Sequence, residues 1–269
     1  MIRRICAAAL AAGIATSAVA NAAENGSSTT PANGVTLASG AISGQVRPVP
    51  RPAKLAIRAD GSEQGFQIWL IGFRNRAGQA GISPETLETA LDDVRFDPDV
   101  IRRDRNQSEF TKTIWDYLDT AVSDARIQNG RKALNAHQAK LEQIERKYGV
   151  EKEIVTAIWG LESAYGGFRG NNSVIRSLAT LAYDARRTEF FEGQLVAALQ
   201  ILDSGDVSAD NMNGSWAGAM GHTQFMPTSY LDYAVDHTGD GRRDIWSDDP
   251  SDALASTAAY LSGFGWTTG

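Results

Sequence analysis

The sequence has almost no cysteine. The one cysteine in 269 residues is Cys6. It lies in an N-terminal segment that we expect to be removed, and it follows Arg-Arg-Ile without an apolar lead-in, which argues against a lipid-anchored cysteine. The mature chain therefore has neither a disulfide nor a thiol nucleophile. Core packing has to hold it together in whatever oxidising compartment it reaches.

Basic runs are also absent. The formal net charge is −6, and an acidic chain without a basic run is a poor candidate for binding nucleic acid or an anionic membrane surface. We therefore expect no nucleic-acid partner. Neutral or weakly charged ligands fit this composition better.

Histidine is scarce. His137, His222 and His237 are the only three, and no spacing among them suggests a zinc site. His137 lies on an apolar helical face, where we expect a core residue rather than a ligand. Serine and histidine occur without a nucleophile elbow, so the sequence gives no case for a hydrolase triad.

The N-terminus predicts export. Arg3 and Arg4 precede a short, alanine-rich apolar run, and small-x-small cleavage sites end at Ala20 and Ala22. This order is typical of a secretory signal peptide, and the run is too short for a good membrane span. A single-helix anchor is the alternative. Cleavage after Ala22 would change the formal charge from −6 to −8, because the segment holds two arginines and no acid.

These features divide the chain into three parts. Residues 1–22 are the expected signal peptide, after which we expect no membrane span. Residues 23–60 are rich in Ser, Thr, Gly, Ala and Pro and predict a flexible linker, with a few poorly packed strands as the alternative. Residues 61–269 form the expected domain.

The domain predicts a mainly α fold. It has no alternating strand pattern of useful length and no fixed repeat. We expect an extended or loop segment at Val94–Asn106 and a polar loop at Ser204–Asn213. Apolar residues at helical spacing, or helix start signals, predict helices in these places: from Gln64 to Phe73, after Ser83-Pro84, Phe110–Tyr117, Leu134–Tyr148, from Glu151 through Glu162, Val174–Tyr183, Glu189–Leu202, Pro227–Val235 and Ser251–Phe264.

One carboxylate lies inside an apolar helical run. In AIWGLESAYGG the steps Val155, Ile158, Glu162 and Tyr165 follow helical spacing, and the run stops at two glycines. Burial would raise the pKa of Glu162 and could keep it protonated near neutral pH, as a general acid requires. A core glutamate satisfied by an arginine or a backbone group is the alternative.

The segment GSWAGAMGHTQFMPTSY mixes glycines with large apolar side chains. Small residues let the backbone approach a ligand closely, and aromatic and thioether groups offer flat apolar surface. Ser215 and Gln224 can supply directed hydrogen bonds. This combination is typical of a sugar-binding surface, with a tight helix–helix contact as the alternative.

The stretch DHTGDGRRD follows the start of a calcium-binding loop. Oxygen-bearing side chains fall at positions 1, 3 and 5, glycine at 6, a carbonyl at 7 and an aspartate at 9. Position 12 is Ser247 where a bidentate glutamate is expected, so Asp248, Asp249 or Asp252 could close the site only if the loop is longer. An Asp/Gly-rich turn without metal is the alternative.

Four stretches together resemble one known family in order and spacing. They are GVEKEIVTAIWGLESAYG, SWAGAMGHTQFMPTSYLDYAVD, DGRRDIW and AAYLSGFGW, and the resemblance runs from about Phe66 to the end. The family is the lytic murein transglycosylases of the membrane-bound B type. The resemblance implies a lysozyme-like helical domain in the periplasm that binds peptidoglycan glycan strands. It would cleave the β-1,4 bond between N-acetylmuramic acid and N-acetylglucosamine and leave a 1,6-anhydromuramoyl end.

The resemblance also implies roles for individual residues. Glu162 matches the family's sole catalytic acid/base. The residues matching its glycan groove are Ser215, Met220, Gln224, Phe225 and Tyr260. Those matching its EF-hand-like loop are Asp236, Thr238, Asp240, the carbonyl of Arg242 and Asp252. No cofactor is required, and a structural Ca²⁺ or Na⁺ in that loop is the one cation implied.

Two departures from the family bear on these expectations. The cation loop carries a short insertion between Trp246 and Asp252, and the chain stops at Gly269 whereas family domains usually continue well past Gly265-Trp266. A complete and a C-terminally incomplete domain are therefore both open. A lysozyme-like hydrolase and an inactive peptidoglycan-binding protein are the rival functions.

Overall fold

The structure is a computed structural model, and it describes residues 60–106 and 113–268, apart from the side chain of Thr120. In chain order, the helices of these two ranges are: α1 (Glu63–Gln79), α2 (Pro84–Leu91), α3 (Pro98–Arg105), α4 (Ile114–Ala121), α5 (Asp124–Ala136), α6 (Gln138–Tyr148), α7 (Lys152–Ser163), α8 (Val174–Tyr183), α9 (Thr188–Asp203), α10 (Pro227–Tyr233) and α11 (Ser251–Gly263). The predicted signal peptide and nearly all of the predicted linker lie outside the described residues.

Helix boundaries follow local capping chemistry. Ser83 caps α2 by accepting a hydrogen bond from the backbone N–H of Thr86, with Pro84 in the first turn. Gly149 ends α6 in the left-handed region at φ 68°, a conformation that favours glycine. The predicted start of α2 and the predicted end at Gly149 are both confirmed.

One predicted loop is a helix. Within Val94–Asn106, residues Pro98–Arg105 form α3. The Asp97 side chain accepts from the backbone N–H of Asp99, and Pro98 occupies the first turn. The prediction was wrong because aspartate followed by proline is a helix start signal as well as a turn signal.

A second predicted helix is divided. Leu134–Tyr148 reads as one amphipathic run, but the helix breaks at His137, which has φ −112° and ψ 17°. The half-buried imidazole of His137 packs edge-on against the Trp159 ring, with centroids 5.3 Å apart. The break thus falls where this helix pair meets α7.

The buried side chains form two clusters. The larger one is built by α1–α3, α8 and α9 together with Met212, Met220 and Ile245. The smaller joins α6, α7 and α11 through Leu141, Trp159 and Leu254. Tyr260 on α11 packs against both clusters. The helix with Glu162 and the segment rich in glycine are therefore held by different cores that share α11.

The described residues contain little β structure. β1 (Asn172–Ser173) pairs antiparallel with β2 (Asn213–Gly214), Asn172 opposite Gly214. Residues 214–226 then make isolated bridges, Gly214 with Met220 and Met220 with Phe225. None of these residues is helical, so the alternative of a glycine-mediated helix–helix contact was wrong. Instead, Gly214 lets the segment fold back on itself, since a Cβ there would lie 2.2 Å from the Ala219 carbonyl oxygen.

Within residues 60–106 and 113–268 we find no helix with the length and apolarity that crossing a membrane requires.

Candidate active site

Glu162 lies on the last turn of α7. Val155 and Trp159 on the same helix are buried, whereas Ile158 and Glu162 are half-buried. The helix ends at Ser163, before the two glycines of the run, because Ala164 and Tyr165 adopt the left-handed region at φ 49° and 62°. The carboxylate thus stands half-buried at a helix end, where the backbone turns away.

Burial controls the charge of Glu162. Its carboxylate has no hydrogen bond or ion pair with any residue in the described part of the chain, and desolvation raises its pKa from 4.5 to about 8. The alternative of a core glutamate satisfied by an arginine therefore has no support there. A carboxyl group of this kind holds its proton at neutral pH and can donate it.

Glu162→Gln is expected to stabilise the fold above pH 5. Between pH 4.5 and about 8 the unfolded chain has released the proton of residue 162 while the folded chain retains it. Stability therefore falls as pH rises through this window, by no more than about 1.4 kcal/mol per unit, and by less where solvent screens the half-buried group. Urea unfolding from pH 4 to 8 should show an advantage of Gln that grows with pH; a constant difference would contradict it.

The turn after Glu162, residues 163–170, is fastened to the segment 214–226. The Ser163 hydroxyl donates to the His222 carbonyl oxygen (2.5 Å) and accepts from the Gly166 N–H (2.9 Å). The Gln224 side-chain amide donates to the carbonyl oxygen of Arg169 (3.1 Å). These bonds place the end of α7, which carries the candidate general acid Glu162, beside the candidate sugar-binding segment 214–226.

Gly170 permits the closest approach of the two segments. It has φ +89°, and a Cβ there would lie 2.1 Å from the Gly214 carbonyl oxygen. Only glycine meets both conditions. The sequence shows this glycine, but nothing in the sequence shows that another backbone passes over it.

Gly170→Ala is expected to destabilise the fold far more than Gly205→Ala. Gly205 has a similar φ of +79° but open space around its Cα, so alanine there costs about 1 kcal/mol for the left-handed conformation alone. At Gly170 the clash with backbone adds about 1–3 kcal/mol. Denaturant unfolding of both variants gives the comparison, and equal losses would show that the backbone around Gly170 can move away from Gly214 freely.

The predicted groove residues have distinct positions. Ser215 is half-buried and its Oγ accepts from the N–H groups of Ala217 (3.3 Å) and Ala219 (3.0 Å), which leaves its own proton free to donate. Met220 is fully buried, so it supports the surface from below. Gln224 is half-buried in the left-handed region at φ 52°.

Phe225 and Tyr260 belong to an aromatic cluster with Tyr233 and Phe264. Tyr260 packs against all three other rings, at centroid distances of 4.7–5.9 Å. Phe264 is 65% exposed, whereas Phe225 is buried. The sequence analysis did not assign Tyr233 or Phe264 to the groove. Phe264 follows Tyr260 by four residues at the end of α11, which was an available signal, whereas Tyr233 lies on α10 and no spacing links it to Tyr260. Flat apolar faces of this kind suit pyranose rings.

The predicted cation loop, residues 236–252 and called the acidic loop from here on, brings its carboxylates together. Carboxylate oxygens of Asp236, Asp240 and Asp252 lie within 4.8 Å of one another. Asp252 is buried and accepts from the N–H groups of His237, Thr238 and Asp244 at 2.9–3.0 Å. The Thr238 hydroxyl contacts Asp236 (3.3 Å), and Arg242 is exposed beside them. Hard oxygen donors in this number fit Ca²⁺ or Na⁺.

Sequence comparison decides the family. The Transglycosylase SLT domain family matches residues 65–269, more than half of the chain. The chain belongs to this family. The predicted resemblance to membrane-bound B lytic murein transglycosylases is thereby confirmed, as is the mainly α, lysozyme-like fold class.

Individual members of the SLT family show how far the similarity extends. Membrane-bound lytic murein transglycosylase B of Escherichia coli (strain K12) is 38% identical over 154 residues, which are 57% of this chain and 42% of that protein. SltB3 from Pseudomonas aeruginosa, solved with NAG-NAM-pentapeptide, is 51% identical with a TM-score of 0.73 over 76% of this chain and 54% of SltB3. SltB1 from the same organism is 35% identical with a TM-score of 0.70, over 75% and 68% respectively. The chain thus spans about half the length of the first two relatives.

Membership of the SLT family leaves the individual site residues as predictions. The structure places the predicted groove residues on one segment and the end of α11, and the predicted acidic ligands on one loop. It also contains two residues that the sequence reading missed, His222 and Arg169. Arg169 lies in the turn after Glu162 and His222 in the segment 214–226, and both contact the carbonyl oxygen of Ser247.

Proposed function

We propose that the chain is a peptidoglycan lytic transglycosylase that cleaves the β-1,4 bond between N-acetylmuramic acid and N-acetylglucosamine. The observation that supports this most is Glu162, a half-buried carboxyl with a raised pKa beside a segment rich in small and aromatic residues. The relatives add weight, since two are named lytic transglycosylases and SltB3 was solved with a muropeptide.

Protonated Glu162 would act first as acid and then as base. It gives its proton to the glycosidic oxygen as the C1–O bond of the muramic acid breaks. The 2-acetamido group or the ring oxygen stabilises the positive charge at C1. The Glu162 carboxylate then takes the proton of the C6 hydroxyl, whose oxygen bonds to C1 and closes the 1,6-anhydro ring.

A single acid suffices for this route. Two-carboxylate glycosidases need a second Asp or Glu to attack C1 or to activate water. Neither the stretch 163–183 nor the segment 214–230 contains an Asp or Glu. The acids at 236, 240 and 252 are directed at their own loop. Intramolecular attack by the C6 hydroxyl fits this composition better than hydrolysis does.

The test is digestion of purified sacculi followed by mass spectrometry of the soluble products. We expect muropeptides with 1,6-anhydro ends, which are one water lighter than those with reducing ends. Reducing ends would favour the lysozyme-like hydrolase instead. Binding to sacculi without soluble fragments would favour an inactive peptidoglycan-binding protein.

We also propose that the acidic loop binds a structural Ca²⁺ or Na⁺ through Asp236, Thr238, Asp240, the Arg242 carbonyl and Asp252. Its role would be to hold the loop, with no part in the chemistry. The related Slt35 of Escherichia coli was solved in complex with calcium. Calorimetric titration with CaCl₂ should show one site that Asp240→Asn weakens; no heat with either CaCl₂ or NaCl would exclude it.

The periplasm is the proposed compartment, through cleavage of the predicted signal peptide. Peptidoglycan, the proposed substrate, lies in the periplasm, and the mature chain has no cysteine that an oxidising compartment could pair. Cell fractionation of a tagged full-length chain, with N-terminal sequencing of the mature form, tests this. A cytoplasmic, uncleaved product would overturn it.

A further inference from the structure

We propose that His222 is a positioning residue for Glu162. His222 clamps the end of α7 to the loop 245–247. The kinetic part of this inference rests on the proposed function, whereas the clamp itself does not. The imidazole is almost fully buried, with 3% of the residue exposed. Its two nitrogens contact Trp159, Arg169 and Ser247 and no predicted groove or cation-ligand side chain.

On one side His222 holds the helix that carries Glu162. The Trp159 indole Nε1–H donates to His222 Nδ1 (3.1 Å), and the Ser163 hydroxyl donates to the His222 carbonyl oxygen (2.5 Å). The ring also presses on Gly166, where a Cβ would lie 2.5 Å from Cε1 and Nδ1. These contacts fall on both sides of Glu162 in sequence and fix the direction in which the last turn of α7 points.

On the other side His222 holds the loop 245–247. Its backbone N–H donates to the Ile245 carbonyl oxygen (3.1 Å), and Nε2 lies 2.7 Å from the Ser247 carbonyl oxygen. Arg169, from the turn after Glu162, reinforces this contact by donating to the carbonyl oxygens of Trp246 (2.9 Å) and Ser247 (2.7 Å). The turn and the loop therefore share one hydrogen-bonded centre.

The two partners define the tautomer of the ring. An indole N–H can only donate and a carbonyl oxygen can only accept, so Nδ1 is the acceptor and Nε2 carries the proton. Arg169 Nη1 also lies 3.3 Å from Nε2, but it directs its own protons to the carbonyl oxygens of Trp246 and Ser247. The imidazole is neutral, and burial lowers its pKa, which favours this form. A residue that offers one acceptor and one donor in the same places, such as glutamine, should preserve the clamp. A leucine of similar volume should abolish both bonds.

The first measurement concerns the clamp alone. In ¹⁵N-tryptophan-labelled full-length protein, with the signal assigned by Trp159→Phe, the Trp159 indole N–H should exchange slowly with solvent. His222→Leu should speed this exchange at least tenfold, and His222→Gln should restore the protection. Titration of the ¹³C-labelled Glu162 carboxyl should also move its pKa toward 4.5 in the leucine variant, because a released turn exposes the group.

The second measurement concerns the rate. With sacculi as substrate, His222→Leu should lower the saturated rate of anhydro-muropeptide release about tenfold to a hundredfold, since misplacement of a catalytic group by about 1 Å has effects of this size. The half-saturating amount of sacculi should change less than twofold. Leu181→Ala, a buried substitution in α8, serves as the control for destabilisation alone, compared at a temperature where both variants are folded.

The outcomes separate the inference from the proposed function. A leucine variant as fast as the control, or with unchanged indole exchange, would overturn the positioning role. If wild type releases no anhydro-muropeptides, the proposed function fails, and the Glu162 titration still decides whether His222 positions the carboxyl. Should His222→Leu not fold, Trp159→Phe removes the same hydrogen bond from the other partner and takes its place in the Glu162 titration and in the rate measurement.

Discussion

Glu162→Gln should lower the release of anhydro-muropeptides from sacculi by about 10²–10⁴-fold, the usual contribution of a general acid–base group. The amide keeps the shape of the side chain but has no proton to give at neutral pH and cannot take one from the C6 hydroxyl. The loss should appear in the rate at saturating sacculi, with binding to sacculi unchanged. Comparison of initial rates at pH 6–7, where burial keeps Glu162 protonated, gives the cleanest measurement.

The matched control is Glu153→Gln. Glu153 stands in the first turn of the same helix, and its exposed side chain contacts Lys152 at 3.6 Å. The identical chemical change there should alter the rate less than twofold. Retention of a tenth or more of the wild-type rate by Glu162→Gln would show that another group supplies the proton. Loss of sacculus binding would instead assign Glu162 to substrate recognition.

Local signals in the sequence were sufficient for most of the fold. The helix start at Ser83-Pro84 and the helix end at Gly149 depend on capping interactions between residues a few positions apart in sequence. The predicted Val174–Tyr183 agrees with α8 to the residue. The failures at Pro98–Arg105 and His137 have the opposite cause, since proline signals both a turn and a helix start, and a helix break leaves the apolar period unchanged.

The candidate site was harder to predict from the sequence than the fold. Glu162 could be recognised because a carboxylate on an apolar face is locally anomalous. The clamp around His222 could not, because it joins Trp159, Gly166 and Ser247 across long sequence separations. In the same way, the resemblance predicted that Met220 lines the groove, whereas its side chain is fully buried beneath that surface. Contacts between distant segments are set by tertiary packing, which spacing does not encode.

Asp252→Ala should lower the free energy of unfolding by about 3–5 kcal/mol, the second large effect we expect. The buried carboxylate accepts three backbone N–H groups, from His237, Thr238 and Asp244. Removal leaves these three donors without their carboxylate partner, and each donor left unpaired costs about 1 kcal/mol or more. Urea unfolding in EDTA excludes any contribution from a bound cation.

The control for this substitution lies in the same loop. Asp248 is 98% exposed and pairs with Arg169 at the surface (2.9 Å), so Asp248→Ala should cost less than about 1 kcal/mol. Asp252→Asn, which keeps the shape and one acceptor oxygen, should fall between the two. A loss for Asp252→Ala equal to that for Asp248→Ala would mean that the loop reorganises freely around the missing carboxylate. Because Asp244 in turn accepts from the N–H groups of Trp246 and Ser247, a loop that loosens at Asp252 should also loosen the carbonyl to which His222 is bonded, and stability and catalysis would fall together.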